Sequence, residues 1–344
     1  MYKRIKSNTI LKKLFANLKK RKILNILKYN KKLMIKLNIT KKDFQDYKFL
    51  KELNQKYDLN IKDIDIKIIG FEKKENINEI FAFIQKIEFK NLTKLDLYNN
   101  GIISIKLLEN VKFQNLEILN LSNNKISDIN ILEKVNFKKL KELSLCDNFI
   151  SDIKVLEKVD FKKLELLGLN ENNIYNINIL EKVNFKELKG LGLYNNKISD
   201  IKILSKVQFE KLEVLNLCYN QISDINILEF VNFKELKKLG LSHNNIFEIN
   251  VFEKCKFEKL ETLNLNYNNI SDIESFGKSN FKNIKILGLY DNYISDIKIF
   301  EKIKFEKLVT LNLEYNRIDH ANNSFIIKNL KAKIKEFDID KQKI

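Results

Sequence analysis

The sequence predicts an α/β fold of the solenoid kind. The expected shape is a curved right-handed coil. A parallel β-sheet lines its concave face, short 3-10 or irregular segments form its convex face, and a small helical domain precedes it. Three observations predict this. The phrase Leu-x-x-Leu-x-Leu-x-x-Asn, first met at Leu92, Leu95, Leu97 and Asn100, returns every 24 residues without insertion. Two columns keep that period for ten cycles each, one of Asn from Asn100 to Asn316 and one of Phe from Phe89 to Phe305. The formal charge of +18 is lopsided, with 18 Lys+Arg against 4 Asp+Glu in residues 1–60, which sets that segment apart from the repeats.

The x-Leu-x-Leu-x core of each repeat alternates at period two and reads as a short strand. Parallel strands stack at ~4.8 Å, so the Leu and Ile columns point inward together. An Asn side chain both donates and accepts, so a buried Asn column can satisfy backbone that has left the strand. The Phe column fills the thicker convex side. Ser-Asp pairs such as Ser199-Asp200 suit turn starts or short 3-10 segments, through local side-chain to backbone bonding. Calcium binding by the Asp column is the alternative reading of those residues.

A finer period of 48 residues runs through the array. One charged column alternates Glu117, Lys141, Glu165, Lys189, Glu213, Lys237, Glu261, Lys285; a second alternates Lys186, Glu210, Lys234, Glu258, Lys282, Glu306. Neighbouring repeats therefore set opposite charges side by side, as duplication of a two-repeat unit would produce.

These columns carry a resemblance. The chain resembles the leucine-rich-repeat superfamily over about residues 89–318. The phrase Ile126-Ser127-Asp128-Ile129 is similar to the short-repeat class, which includes internalins and the regulatory subunits of protein phosphatase 1. Repeats in that class are typically shorter than the 24 residues found in this chain. The resemblance implies a non-catalytic scaffold that binds a protein partner on its concave face, with no cofactor and no metal.

Along the chain, residues 1–60 read as a basic helical domain. Ile10, Leu11, Leu14, Phe15 and Leu18 show helical spacing, and Ile23 to Leu27 and Leu33 to Leu37 continue it. The string from Ile10 to Leu33 resembles an F-box without its usual Pro and Trp. That resemblance implies a substrate adaptor contacting a ubiquitin-ligase core subunit. A second alternative is electrostatic attachment to membrane or nucleic acid by the fifteen Lys+Arg of residues 1–42. Nucleic acid and membrane are not the expected partners, because no stacking motif accompanies the basic run. Residues 61–88 read as a degenerate lead-in repeat, with Ile68, Phe71 and Asn76 at the positions a prior repeat would use. Residues 89–318 hold the ten repeats. Residues 319–344 read as a cap and frayed tail, with Ser324 opening a helix.

The middle strand position is small or polar throughout, including Gly168, Gly192, Gly240 and Gly288, which leaves room for a partner. The next two positions carry Tyr98, Tyr194, Tyr219, Tyr267, Tyr290 and Tyr315. Tyr is common at interface hot spots. The expected binding surface is therefore Tyr194, Tyr219, His243, Tyr267, Tyr290, Asp291, Glu314 and Tyr315. No enzyme is expected, because there are only two His and no phosphate loop or His-Glu-x-x-His motif. Cys218 beside His243 is the one conceivable dyad. Three scattered cysteines imply no disulfide framework, and the absence of a long apolar run or signal peptide implies a soluble, cytoplasmic protein; a monomer is expected.

Overall fold

Each repeat contributes one three-residue strand, from β2 (Lys94–Asp96) to β11 (Thr310–Asn312). A computed structural model describes residues 65–67, 92–110, 113–303 and 305–343. The expected helical domain at 1–60, with its F-box-like string and basic run, lies outside the described residues. Two further strands, β1 (Asp65–Lys67) and β12 (Glu336–Asp338), complete a sheet of 12 parallel strands in sequence order. From β2 to β11 the register never slips: Leu95 faces Leu119, then Leu143, and so on to Leu311. The central Leu of each of these strands is buried. Opposite the sheet, 3-10 segments recur from Lys106–Asn110 to Glu274–Gly277, and one short α-helix, α1 (Ile299–Lys302), takes their place in the ninth repeat.

The Asn column ties each repeat to the one before it. Asn196 Oδ1 accepts from Ile174 N–H at 3.0 Å. Its Nδ2 donates to Leu169 C=O at 3.0 Å in the preceding repeat and to Leu193 C=O at 3.1 Å in its own. The same pattern holds at Asn124, Asn148, Asn172, Asn220, Asn244, Asn268, Asn292 and Asn316. Buried backbone that has left the ladder is thereby satisfied.

The Phe column is buried from Phe113 to Phe281. Ring centroids of Phe113, Phe137 and Phe161 follow one another at 6.3 and 6.4 Å. Parallel strands sit only ~4.8 Å apart. A longer pitch on the Phe side than on the sheet side bends the stack with the sheet innermost.

The Asp column is spent on turns. Asp128, Asp152, Asp200, Asp224, Asp272 and Asp296 each accept from the N–H two residues on, at 2.8–2.9 Å, at the start of the convex segment. Among the described residues no group of three or more His, Cys, Asp and Glu is placed to hold a metal ion.

The first charged column pairs within the two-repeat unit: Lys141–Glu117 at 2.8 Å, Lys189–Glu165 at 2.7 Å, Lys237–Glu213 at 2.7 Å and Lys285–Glu261 at 3.0 Å. Among the described residues the second forms none of these close pairs. Lys211–Glu187 and Lys259–Glu235, both at 2.6 Å, take that role one position along.

Both ends of the array depart from expectation. A 24-residue period would put a lead-in strand at Phe71, but β1 pairs Ile66 with Leu95, five residues further upstream. At the other end, α2 (Ser324–Lys333) packs Ile326, Ile327 and Leu330 inward, and the chain then returns as β12 rather than fraying. Gln342 stands in for the next Asn: its Oε1 accepts from Ile318 N–H at 3.1 Å and its Nε2 donates to Leu313 C=O at 3.2 Å. The final segment is thus a lengthened repeat that closes the Asn column.

Candidate partner-binding face

The residue before each column Asn is left-handed. Ten non-glycine residues from Asn99 to Tyr315 hold φ between 51° and 56°. Tyr219 and Tyr315 each meet the ring one position earlier in the preceding repeat, whereas Tyr219, His243 and Tyr267 stack within their own column. Two Tyr columns thereby merge into one ladder of rings. Tyr194 meets Tyr219 at 5.0 Å, Tyr219 stacks on His243 at 3.7 Å, and His243 stacks on Tyr267 at 3.9 Å. Tyr267 then meets Tyr290 at 4.9 Å, and Tyr290 meets Tyr315 at 5.0 Å. Six of the eight expected residues therefore form one continuous surface. Tyr219, Tyr267 and Tyr315 are exposed at 36–41%. Tyr98 stands apart, its hydroxyl accepting from Asn123 Nδ2 at 3.2 Å.

The rings shield one another. Burial raises the Tyr194 phenol, and a hydrogen bond with Tyr267, followed by burial, raises that of Tyr290. Burial lowers His243, opposed by the Asp291 charge, so the ring favours its neutral form. Its faces are occupied by Tyr219 and Tyr267.

Glycines in the sheet do not leave the open floor expected of them. A Cβ at Gly192 would stand 2.6 Å from Asn170 Oδ1, and one at Gly288 would stand 2.6 Å from Asn266 Oδ1. Those oxygens accept from Tyr194 N–H and Tyr290 N–H, each at 2.9 Å. The glycines admit an internal bridge that steadies the two tyrosines. The constellation Asn170, Gly192, Tyr194, Tyr219 recurs four repeats on as Asn266, Gly288, Tyr290, Tyr315.

Asp291 and Glu314 lie beside the ladder rather than in it. Asp291 Oδ1 is held at 2.6 Å by Lys343 Nζ. Glu314 is half-buried on the outward strand position. Sequence reasoning missed Tyr293, Arg317, Lys341 and Lys343, which gather at this end. The column following each Asn, where Tyr293 and Arg317 stand, carried the available signal.

The Cys218–His243 pair has no activated thiol. Cys218 is buried, which pushes its thiol up, and its sulfur accepts from Ser242 N–H at 3.3 Å. A thiolate, not a thiol, is the nucleophile. Cys255 is pushed up to about 12 by burial.

A parallel solenoid with an internal Asn column and an outward residue-bearing sheet defines a repeat scaffold. The chain is a leucine-rich-repeat protein. Family models described as leucine-rich repeats match residues 90–158 and 258–302, and residues 186–246. Among solved structures it is similar to an internalin, InlF, of Listeria monocytogenes, with 26% identity, a TM-score of 0.57, and 74% of this chain and 75% of that one covered. A leucine-rich-repeat protein of Leptospira interrogans shares the fold at 24% identity and a TM-score of 0.50, covering 76% of this chain and 74% of that one. No curated protein matches the chain by sequence. Among the described residues no helix is long and apolar enough to cross a membrane.

Proposed function

We propose that the chain is a non-catalytic scaffold whose sheet face, from Tyr194 to Tyr315, binds a protein partner. One observation carries this reading: six aromatic rings form an unbroken outward ladder although the backbone gives no reason for tyrosine there. Tyr219, Tyr267 and Tyr315 occupy the left-handed region, which costs a bulky residue free energy, and such strain concentrates at functional sites. The rings are pre-stacked, so little side-chain entropy remains to be lost on docking. In the centre of the ladder Tyr219, His243 and Tyr267 turn their faces to each other, so a partner there meets ring edges and hydroxyls. That suits a polypeptide with mixed apolar and hydrogen-bonding groups better than a stacked base.

In this reading the residues flanking the array, 1–60 and 319–344, act as terminal units, and the protein works as a monomer in the cytoplasm. The three cysteines are all free, which suits a reducing compartment. The test is affinity capture followed by a binding titration, comparing the full chain with Tyr219→Ala, Tyr267→Ala and Tyr290→Ala combined. Removing anchors of this kind should weaken a true partner by about 2–4 kcal/mol or more. A partner that tolerates the triple variant sinks the proposal.

A further inference from the structure

At the C-terminal end of the ladder the chain folds back on itself through one side chain. Lys343 reaches back across two repeats. Its ammonium lies 2.6 Å from Asp291 Oδ1, 3.0 Å from the Asn292 carbonyl oxygen and 4.3 Å from the centroid of the Tyr293 ring. Asp291, Asn292 and Tyr293 are consecutive, so a single turn presents a carboxylate, a carbonyl and a π face around one point. The Asp291 and Lys343 side chains are only 32% and 26% exposed, so the contact is partly shielded from water.

This is a cage for an ammonium ion. The three surrounding groups match the three N–H donors of a Lys head and its attraction to an aromatic face. At the carboxylate it favours an ammonium over a guanidinium. The contact uses one carboxylate oxygen rather than the bidentate pair that an Arg fork prefers. Moreover, Arg317 already sits over the same ring, its Cζ 4.5 Å from the centroid. Lys341 stands 5.9 Å from the Tyr315 ring, so Lys343 alone holds the Asp291 carboxylate, and a second ammonium can take its place only when Lys343 leaves.

We infer that Asp291, the Asn292 carbonyl and Tyr293 form a lysine-recognition site that Lys343 fills in cis, and that a lysine side chain from another polypeptide enters when Lys343 leaves. The site is separate from the ring ladder: the ladder can fail its own test while the cage passes this one. Gln342 holds the tail in the Asn column independently of Lys343, so vacating the cage leaves that anchor in place.

The experiment uses the full chain and Nα-acetyl-lysine N-methylamide as the probe, followed by ligand-observed NMR. Lys343→Ala should bind the probe in the millimolar range, about what a few contacts provide. The wild-type chain should bind it at least ten-fold more weakly, because its own lysine competes at high effective concentration. Adding Asp291→Asn to Lys343→Ala should return binding to the wild-type level. Lys343→Met keeps the apolar arm and serves the same comparison if the alanine loosens the tail. Equal binding by wild type and both Lys343 variants overturns the inference. So does probe binding that survives Asp291→Asn, or an acetyl-arginine analogue that binds as well as the lysine one.

Discussion

Two stretches of the sheet face share one backbone and differ in what they display. Up to the fifth repeat the left-handed column reads Asn99, Asn123, Asp147, Glu171, Asn195; beyond it the column reads Tyr219, His243, Tyr267, Asp291, Tyr315. The φ values do not differ between the two. Asn and Asp enter this region readily, whereas a bulky L residue loses roughly 1–2 kcal/mol there. The first stretch follows the local preference and the second mostly overrides it. The tyrosines are compensated by each other: Tyr98 meets an Asn123 amide, while Tyr194, its equivalent four repeats on, meets the Tyr219 ring.

The comparison can be broken or sharpened by substitution. The largest effect should come from the part both stretches share. Asn196→Leu strands Ile174 N–H in the interior and takes one of two donors from each of the Leu169, Leu193 and Tyr194 carbonyls, and should lower stability by about 2 kcal/mol or more, read from the urea midpoint. Asn195→Ala, its outward neighbour, is the control and should cost far less.

Transplanting the second stretch into the first is the next test. Asp147→Tyr finds no ring beside it and should destabilise by about 1 kcal/mol. Asn123→Tyr lies next to Tyr98 and should be offset by the ring contact it creates, worth about 0.5–1.5 kcal/mol. Equal losses at both positions would mean that stacking does not support the ladder.

The second stretch also carries a misfit on its convex side. In the column Ile131, Val155, Ile179, Ile203, Ile227, Val251, Ser275, Ile299, the serine hydroxyl is buried without a hydrogen-bond partner. Ser275→Val should stabilise the chain by about 1–2 kcal/mol in the same urea assay. A loss of stability would mean that the hydroxyl has a partner in solution.

The smallest effect concerns the charge ladder that runs through both stretches. Lys189→Glu with Lys237→Glu should lower the melting temperature at low salt, and the difference should shrink as salt is added. The bonded lysines lower the Glu165 and Glu261 carboxyls. A lowered folded pKa means that this stabilisation is present above the ordinary carboxylate pKa and is lost as pH falls through the lowered value. The variant and the parent should therefore converge in acid. A salt-independent difference would remove the electrostatic explanation.

The repeated core was legible because each column obeys one local rule: Leu at period two, Asn where the backbone needs both donor and acceptor, Asp where a turn begins. The candidate face was legible only as residues. Tyr194 and Tyr219 fall in different columns of the alignment, and nothing in their spacing shows that a left-handed residue swings one onto the other. The glycines misled for a related reason, since small size reads as free space until Asn170 and Asn266 are seen leaning over them. Gln342 was hidden because the closing repeat is longer by two residues and uses a longer amide. The Lys343 contact spans 51 residues and breaks the period altogether.

Because each column Asn side chain from Asn124 on grips its own repeat and the one before it, the molecule behaves mechanically as a row of near-identical couplings in series. Stretched from its two ends, such a row has no single weakest plane at which to shear. It should yield in successive steps, each releasing one repeat of 24 residues and lengthening the chain by roughly 80 Å. A load on the protein would then be absorbed by losing repeats one at a time while the remainder stays wound.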